Sequence, residues 1–148
     1  MNFEIKKFNE LTVDEMYEIA KSRFEVFVCE QKIVEEQDFD DKDKLCHHIM
    51  LKENGRIVAY SRIVPKGIGY EYISIGRVLV LESHRRKGIA QKMMKYCLDF
   101  IKSTLDESTV VVSAQQYVKE MYASVGFKVI SDVYDEVNIP HVKMKIEM

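Results

Sequence analysis

The sequence predicts a mixed α/β fold (α+β) in a single domain whose first half is a largely antiparallel meander of strands. Strand and helix patterns follow each other in the order strand, helix, three strands, helix, strand, helix and two strands. The dipeptide Asn54-Gly55, which favours the positive φ angles of tight hairpin turns, separates two of the strand patterns. A length of 148 residues is typical of one domain, and we expect that domain to span residues 1–148.

The first half of the chain opens with an alternating apolar pattern that predicts a strand over residues 2–8. Thr12 and Glu15 have the spacing of a capping box, which predicts the start of a helix that continues to about Val28. The acidic segment EEQDFDDKDK has no apolar period and predicts a loop or a frayed helix. Strands are expected next at 49–51, 57–64 and 70–81.

The second half of the chain contains two helical patterns on either side of a short apolar run. The patterns predict helices at about 88–103 and 116–125, and Gly126 is a favourable residue to end the second one. The apolar run at 110–113 is typical of a buried strand. Two closing strands are predicted at about 127–134 and 140–147.

Charge and composition argue against several classes of protein. With 22 basic and 24 acidic residues, the formal net charge is -2, so no overall field attracts nucleic acid or an anionic membrane. The N-terminus lacks the apolar run of a signal peptide, and no stretch reaches the roughly 20 apolar residues of a membrane span, so we expect a cytoplasmic protein. The three cysteines are widely spaced and form no zinc-binding pattern, which favours thiols in a reducing compartment and no bound metal.

The most informative segment is a strand, a turn and a helix at 78–101. The turn contains Arg85, Arg86 and Lys87, and an amphipathic helix starts directly after Gly88. The first N–H groups of a helix have no partner within it and lie at the positive end of its dipole, so they favour an anion. The nucleotide-binding patterns GxxxxGK[ST] and GxGxxG are both absent. From spacing alone, a basic surface turn before an ordinary helix is an equally good interpretation.

Longer stretches of the chain carry a family resemblance. RRKGIA resembles the Q/R-x-x-G-x-G/A motif of the Gcn5-related N-acetyltransferases (GNAT), and YASVGF resembles their Y-x-x-x-G-F element. RFEVFVCEQ, IGRVLV, AQQYVKEMYASVGF and IPHVKM are similar to the ElaA-type branch of that family. The resemblance covers the whole chain and implies the acyl-CoA N-acyltransferase fold. That fold has a mixed, mostly antiparallel sheet of about seven strands, splayed between strands 4 and 5, with about four helices.

The resemblance also implies acetyl-CoA as cosubstrate and a position for each of its parts. The pantetheine arm would pair with the backbone of Val78, Leu79 and Val80, close to Gln115, which stands where many members have asparagine. The pyrophosphate would bind the backbone N–H groups of the turn and the helix start, with Arg85 and Arg86 adding charge. Those N–H groups belong to Arg86, Lys87, Gly88, Ile89, Ala90 and Gln91. Tyr122 matches the family's proposed general acid, which protonates the departing thiolate.

The implied acceptor is an amine on a small molecule or a peptide, and it must lose a proton to react. Candidate bases are Glu71 on the expected fourth strand, His48 on the second, and the carboxylates of residues 35–43. If that acidic segment lines the entrance for the acceptor, it favours a cationic amine. Arg77 is expected either to pair with Glu30 or to bind the acceptor.

Alternatives to this mechanism and function remain. Direct attack in a ternary complex is preferred over an acetyl-cysteine intermediate. A nucleophilic cysteine needs a basic neighbour that lowers its pKa, and only Cys46 has histidines beside it. A non-catalytic acyl-CoA-binding or regulatory module would share every cofactor feature and differ only in turnover. A nucleic-acid-binding domain using the RRK cluster is disfavoured by the balanced charge and the lack of Trp. A homodimer through the late strands, common in the family, stays open.

Overall fold

A computed structural model describes residues Met1 to Met148 and contains eight strands and three α-helices. The strands are β1 (Phe3–Lys7), β2 (His47–Glu53), β3 (Arg56–Val64), β4 (Ile73–Val80), β5 (Thr109–Gln115), β6 (Lys128–Val129), β7 (Tyr134–Glu136) and β8 (Ile139–Glu147). The α-helices are α1 (Val13–Arg23), α2 (Ile89–Ser103) and α3 (Lys119–Ser124). Helix α1 continues into a π-helical segment, Phe24–Glu30. Short 3-10 helices lie at Phe8–Glu10, Lys42–Leu45, Glu82–His84 and Gln116–Val118.

All eight strands belong to one sheet with the order β1-β2-β3-β4-β5-β8-β6, and β7 also pairs with β8. Strands β1 to β4 form the predicted antiparallel meander, whereas β4 and β5 run parallel. The parallel contact is short, because Ile73 pairs with Val110, Ser74 pairs with Val111, and no further pairs follow. The predicted splay between the fourth and fifth strands is therefore confirmed, and a gap opens in the middle of the sheet.

Local sequence signals explain how the first half folds. The Thr12 side chain accepts a hydrogen bond from the N–H of Glu15 at 3.0 Å, and Glu15 accepts one from the N–H of Thr12 at 2.9 Å. These two bonds are the predicted capping box, and they start α1. Asn54 and Gly55 have φ angles of 53° and 80° and connect β2 to β3. Both positive angles are those of the predicted hairpin turn.

Three predicted elements differ from the structure. The fourth strand begins at Ile73, so residues 70–72 belong to the turn before it. The helix predicted at 116–125 is a 3-10 turn followed by the six-residue α3. The strand predicted at 127–134 is reduced to the two residues of β6, and β7 and β8 form a separate hairpin at Val137 and Asn138. Both of these residues have positive φ, and no glycine at either position signals the turn.

The core lies between the sheet and its helices, and α2 contributes the largest helical share. The apolar stripe predicted for this helix is buried as Ile89, Met93, Met94, Cys97, Leu98 and Ile101. The C-terminal end of β4 leads through Glu82–His84 into α2, so the helix and the open edge of β4 are fixed relative to one another. None of the helices combines the length and the apolar character needed to cross a bilayer.

Candidate active site

A cavity of about 730 Å³ occupies the gap between β4 and β5. Its walls are formed by β4, β5, the turn before α2, the π-helical segment after α1, and parts of α3, β7 and β8. The basic turn lies at the end of the cavity where β4 terminates. Charged side chains from residues 38–42 and from β3 lie near the middle of β4. We call these two parts the turn end and the cluster end.

The turn end presents backbone N–H groups without protein partners. Arg86 and Gly88 have φ angles of 65° and 74°, which shape the turn, and the first backbone bond of α2 runs from Lys92 to Gly88 at 3.1 Å. The N–H groups of residues 86–91 donate to no backbone acceptor. Gly88 provides no side-chain cap, and the first turn of α2 contains no acidic residue. This arrangement fits an anion that has several oxygens, such as a diphosphate.

The three cations of the turn have different surroundings. Arg85 donates from Nε to the carbonyl of Val80 at 2.8 Å and pairs with Glu30 at 2.9 Å. Arg86 is exposed and lines the cavity, while Lys87 is exposed and lies outside its wall. The expected pairing of Arg77 with Glu30 is therefore wrong, since Glu30 holds Arg85 in place.

The edge of β4 that faces the gap has no strand partner beyond Ser74. Its other edge stays paired with β3, with Leu79 opposite Tyr60 and Val80 opposite Ala59. The register shifts before Arg62, and Arg77 has a φ of 51°, so a bulge bends β4 along the cavity. An open strand edge of this kind can pair with an extended chain that carries amide groups.

Most of the residues expected to contact the cofactor lie together in the cavity wall. They are Val78, Leu79, Val80, Arg85, Arg86, Gly88, Ile89, Ala90, Gln91 and Gln115. Lys87 alone among the expected residues lies outside the wall, and its expected contribution was a backbone N–H group. Gln115 and Gln31 exchange two amide hydrogen bonds of 3.0 and 3.4 Å across the cavity wall.

Tyr122 on α3 also lines the cavity. It is 5% exposed, and its ring packs edge-on against Phe127 with centroids 5.8 Å apart. Burial raises the pKa of Tyr122, so the phenol stays protonated near neutral pH and is available as a donor. The cysteines lie elsewhere: burial raises the pKa of Cys46 to about 11 and that of Cys97 to about 12, and Cys29 is exposed. None of the three lines the cavity, which favours direct attack over an acetyl-cysteine intermediate.

The structure does not bring His48 or Glu71 to the cavity wall. His48 is fully buried, with Nε2 donating to the carbonyl of Asp43 at 2.8 Å and Nδ1 lying 2.6 Å from the hydroxyl of Tyr60. Burial lowers the pKa of His48, and both ring nitrogens are already occupied. Glu71 is exposed in the turn before β4 and not on the strand as expected. The two residues proposed as bases from the sequence therefore lie outside the cavity wall.

A network of buried and partly buried ion pairs forms the cluster end. Arg23 pairs with Asp38 at 2.9 Å and with Asp43 at 2.7 Å. Arg62 pairs with Asp40 at 2.7 Å and with Asp43 at 3.0 Å. Arg77 completes the network through Asp38 at 3.0 Å. We call these six residues the arginine–aspartate cluster.

The arginine–aspartate cluster bears on the two roles expected for the carboxylates of residues 35–43, which were to act as a base or to attract a cationic amine. Burial alone would raise the pKa of Asp40 and Asp43. The hydrogen bond and charge of Arg62 hold the pKa of Asp40 below its usual range, and Arg23 and Arg62 together do the same for Asp43. Carboxylates in this state are weak bases. They are also neutralised by arginine, so they add little negative charge for a cationic acceptor. The segment predicted to be a loop therefore forms part of the cavity wall at the cluster end.

Several cavity residues were not predicted to have a role. Tyr70, Ser113, Glu136 and His141 line the cavity near the gap, and no pattern of spacing connected them in the sequence. Two signals were present for the cluster, since Arg23 and Arg62 interrupt apolar faces of a helix and a strand. No group of three or more His, Cys, Asp or Glu side chains is arranged to hold a metal ion.

Comparison with known proteins agrees with the fold and the cavity. A family model described as an acetyltransferase (GNAT) domain matches residues 7–148. A UPF0039 protein of Schizosaccharomyces pombe is 41% identical over 150 residues, covering 100% of this chain and 98% of the relative. ElaA of Escherichia coli is 33% identical over 141 residues, covering 95% and 92%.

Two solved structures superimpose over nearly the whole chain. An acyl-CoA N-acyltransferase from Pseudomonas aeruginosa has a TM-score of 0.90 at 30% identity and covers 99% of both chains. Escherichia coli ElaA has a TM-score of 0.89 at 31% identity and covers 99% of this chain and 100% of its own. The resemblance to the ElaA-type branch and the predicted acyl-CoA N-acyltransferase fold are thereby confirmed.

Proposed function

The chain belongs to the GNAT acetyltransferase family, and we propose that it transfers the acetyl group of acetyl-CoA to an amine by direct attack in a ternary complex. One observation carries this proposal: the unpartnered N–H groups of residues 86–91 and the open edge of β4 border a single cavity. A diphosphate requires the first feature and a pantetheine arm with two amides requires the second. Their proximity favours coenzyme A over a simple phosphate ligand.

The turn end binds the cofactor mainly through its backbone. The pyrophosphate lies on the N–H groups of residues 86–91 at the positive end of α2, and Arg86 adds charge beside it. The pantetheine amides pair with Val78, Leu79 and Val80 in the manner of an added strand. Gln115, oriented by Gln31, contacts the arm from β5. The thioester then lies within the gap, where the acceptor meets it.

Tyr122 acts on the departing thiolate. In water, a phenol with a pKa near 10 gives a proton to a thiolate near 8.5 at a cost of about 2 kcal/mol. Burial raises the pKa of Tyr122 further, so full proton transfer depends on the thiolate being equally desolvated. Tyr122 therefore serves at least as a hydrogen-bond donor to the thiolate. A backbone N–H on the open edge of β4 stabilises the oxyanion of the tetrahedral intermediate.

Calorimetry and product analysis test this proposal separately. Coenzyme A and acetyl-CoA should bind, while pantetheine, which lacks the nucleotide and the pyrophosphate, should bind far more weakly. Acetyl-CoA mixed with tyramine, spermidine and a lysine peptide should give acetylated products by mass spectrometry, with one molecule of coenzyme A released for each product. Binding without turnover would identify a non-catalytic acyl-CoA-binding module. No binding of coenzyme A would overturn the proposal as a whole.

A further inference from the structure

We propose that His141 is the base that removes the proton from the acceptor amine, and that Glu136 passes this proton to solvent. The inference rests on the proposed acetyl transfer and supplies the group that neither His48 nor Glu71 can supply. His141 lines the cavity and is 4% exposed. Glu136 lines the same cavity, and its side chain is 43% exposed.

The strand register places His141 beside the reaction space. Antiparallel pairing sets His141 opposite Gln115 on β5 and opposite Tyr134 on β7. Residues directly opposite each other in such pairs point to the same face of the sheet. His141 therefore lies one strand away from Gln115, which faces the gap where the thioester is proposed to lie.

The hydrogen bonds of His141 leave the correct nitrogen available. Nδ1 lies 2.6 Å from the carbonyl oxygen of Ile139, and because a carbonyl only accepts, Nδ1 carries the hydrogen in the neutral ring. Nε2 then has a lone pair, and its neighbour is Glu136 at 3.4 Å. The ring stacks on Tyr134 with an interplanar angle of 23°, which fixes its orientation. His48 offers the contrast, since partners at 2.6 and 2.8 Å occupy both of its nitrogens.

The proton balance of the reaction follows from these positions. The amine nitrogen forms a bond to the thioester carbon, and its N–H bond breaks with the electron pair remaining on nitrogen. The proton moves to Nε2 of His141. Collapse of the tetrahedral intermediate re-forms the carbonyl and breaks the C–S bond. The thiolate leaves with the bonding electron pair and accepts a hydrogen bond from Tyr122, which keeps its proton. The imidazolium is stabilised by Glu136, which delivers the proton to water and restores the neutral ring.

Ionisable groups near the ring come from three elements. They are Glu136 and Tyr134 on β7, Lys143 on β8, and Tyr70 before β4, whose ring lies 4.3 Å from the Lys143 ammonium. Ser113 hydrogen-bonds to the hydroxyl of Tyr134 and contacts Glu136 at 3.4 Å. Glu136 is thus the one carboxylate in direct contact with His141. The proton exit should depend on this residue more than on the others.

A spectroscopic measurement tests the geometry without an acceptor. Protein labelled with ¹⁵N in its histidine rings should show His141 as the tautomer with hydrogen on Nδ1 when the ring is neutral, and His48 as the tautomer with hydrogen on Nε2. The signal of His141 is assigned by its loss in His141→Asn. If His141 instead carries its hydrogen on Nε2, it has no lone pair facing the cavity and the inference is overturned.

Kinetics test the role directly. Asparagine at position 141 can still donate to the carbonyl of Ile139 but cannot act as a base. With spermidine or tyramine as the probe, His141→Asn should lower kcat about 100-fold and abolish the acidic limb of the pH profile, while leaving the Kd for coenzyme A unchanged. Glu136→Gln should lower kcat by less, and His47→Asn, which lies outside the cavity, serves as the control.

The outcomes separate the inference from the function on which it rests. If the wild-type protein acetylates amines and His141→Asn has the same rate and pH profile, His141 is not the base. The proposed acetyl transfer would not be affected by that result. A wild-type protein that binds coenzyme A but acetylates no amine would remove both. Loss of coenzyme A binding in His141→Asn would instead show that the residue supports the cavity structurally, which also contradicts the inference.

Discussion

The two ends of the cavity are built from different parts of the chain and by different forces. At the turn end, backbone N–H groups of consecutive residues and one strand edge form the surface, and few side chains are required. At the cluster end, arginines from a helix and two strands meet aspartates from a loop. A backbone surface tolerates changes of side chain, whereas a buried charge network does not tolerate the loss of one partner. We therefore expect mutations at the cluster end to lower the stability of the protein, and mutations at the turn end to lower its affinity for coenzyme A.

The largest expected effect is on stability at the cluster end. Asp43 is 3% exposed and pairs with both Arg23 and Arg62. Asp43→Asn leaves buried guanidinium charge partly uncompensated and should lower the free energy of unfolding by about 3–5 kcal/mol in urea titrations. Asp41→Asn is the matched control, since the Asp41 side chain is 96% exposed, and it should change stability by less than about 0.5 kcal/mol.

The pH dependence of unfolding sharpens the same test. Arg23 and Arg62 overcome the effect of burial and hold the pKa of Asp43 below its usual range. A carboxylate with a depressed folded pKa stabilises the protein above its unfolded pKa, near 4, and this stabilisation is lost as the pH falls further. Asp43→Asn should therefore flatten the stability curve below about pH 4. Equal slopes in the two proteins would mean that the cluster does not hold this charge. The folded fraction of the variant should still bind coenzyme A.

The next expected effect is on turnover and concerns Tyr122, which lines the cavity from α3. Tyr122→Phe keeps the edge-on packing against Phe127 and removes only the hydroxyl. We expect kcat to fall about 100-fold with little change in the Kd for coenzyme A, because the thiolate can also leave without a proton. Tyr117→Phe is the control, as this tyrosine is 73% exposed on the cavity rim. A variant of Tyr122 with normal kcat would show that the hydroxyl has no part in the chemistry.

The same contrast explains what could be predicted from the sequence. The turn end follows from contiguous residues, since Gly88, its neighbouring cations and the helix pattern stand within one segment. The cluster end joins Arg23, Asp43 and Arg62, which are separated by about 20 residues at each step, so no local pattern reveals their contacts. The strand predicted at 127–134 is too long for a related reason, whereas the one predicted at 140–147 agrees with β8. β6 is two residues long and ends without a glycine or proline signal.

His48 shows how a residue type can mislead. A histidine titrates near neutral pH, so it was a reasonable candidate for a base from the sequence. Its position on β2 points it into the core, where the hydroxyl of Tyr60 and the carbonyl of Asp43 bind both nitrogens. The strand pattern alone could not tell this face from the one that borders the gap. Only the register of β5, β7 and β8 brings a different histidine, His141, into the cavity wall.

A third expected effect concerns the backbone of the turn end. Gly88 has a φ of 74°, and an added Cβ would find only Gln91 within 4 Å, at 3.9 Å, so the penalty of Gly88→Ala is conformational. We expect the strained turn to shift and the affinity for coenzyme A to fall about tenfold in calorimetry. Gly55→Ala is the control, because Gly55 has a φ of 80° and open space around it but lies in the β2–β3 hairpin. If both variants bind coenzyme A equally well, the geometry of the turn does not determine affinity.

The smallest expected effect tests whether any side-chain pair contributes at the turn end. Gln31 and Gln115 exchange two hydrogen bonds in the cavity wall. A double-mutant cycle of Gln31→Ala and Gln115→Ala, read as the Kd for coenzyme A, should give a coupling energy of about 0.5–1.5 kcal/mol. Gln31→Ala alone should weaken binding, although Gln31 is not expected to touch the cofactor, because it leaves the amide of Gln115 without an orienting partner. A coupling energy near zero would mean that the backbone alone determines affinity at this end, which would make the contrast with the cluster end stronger than proposed.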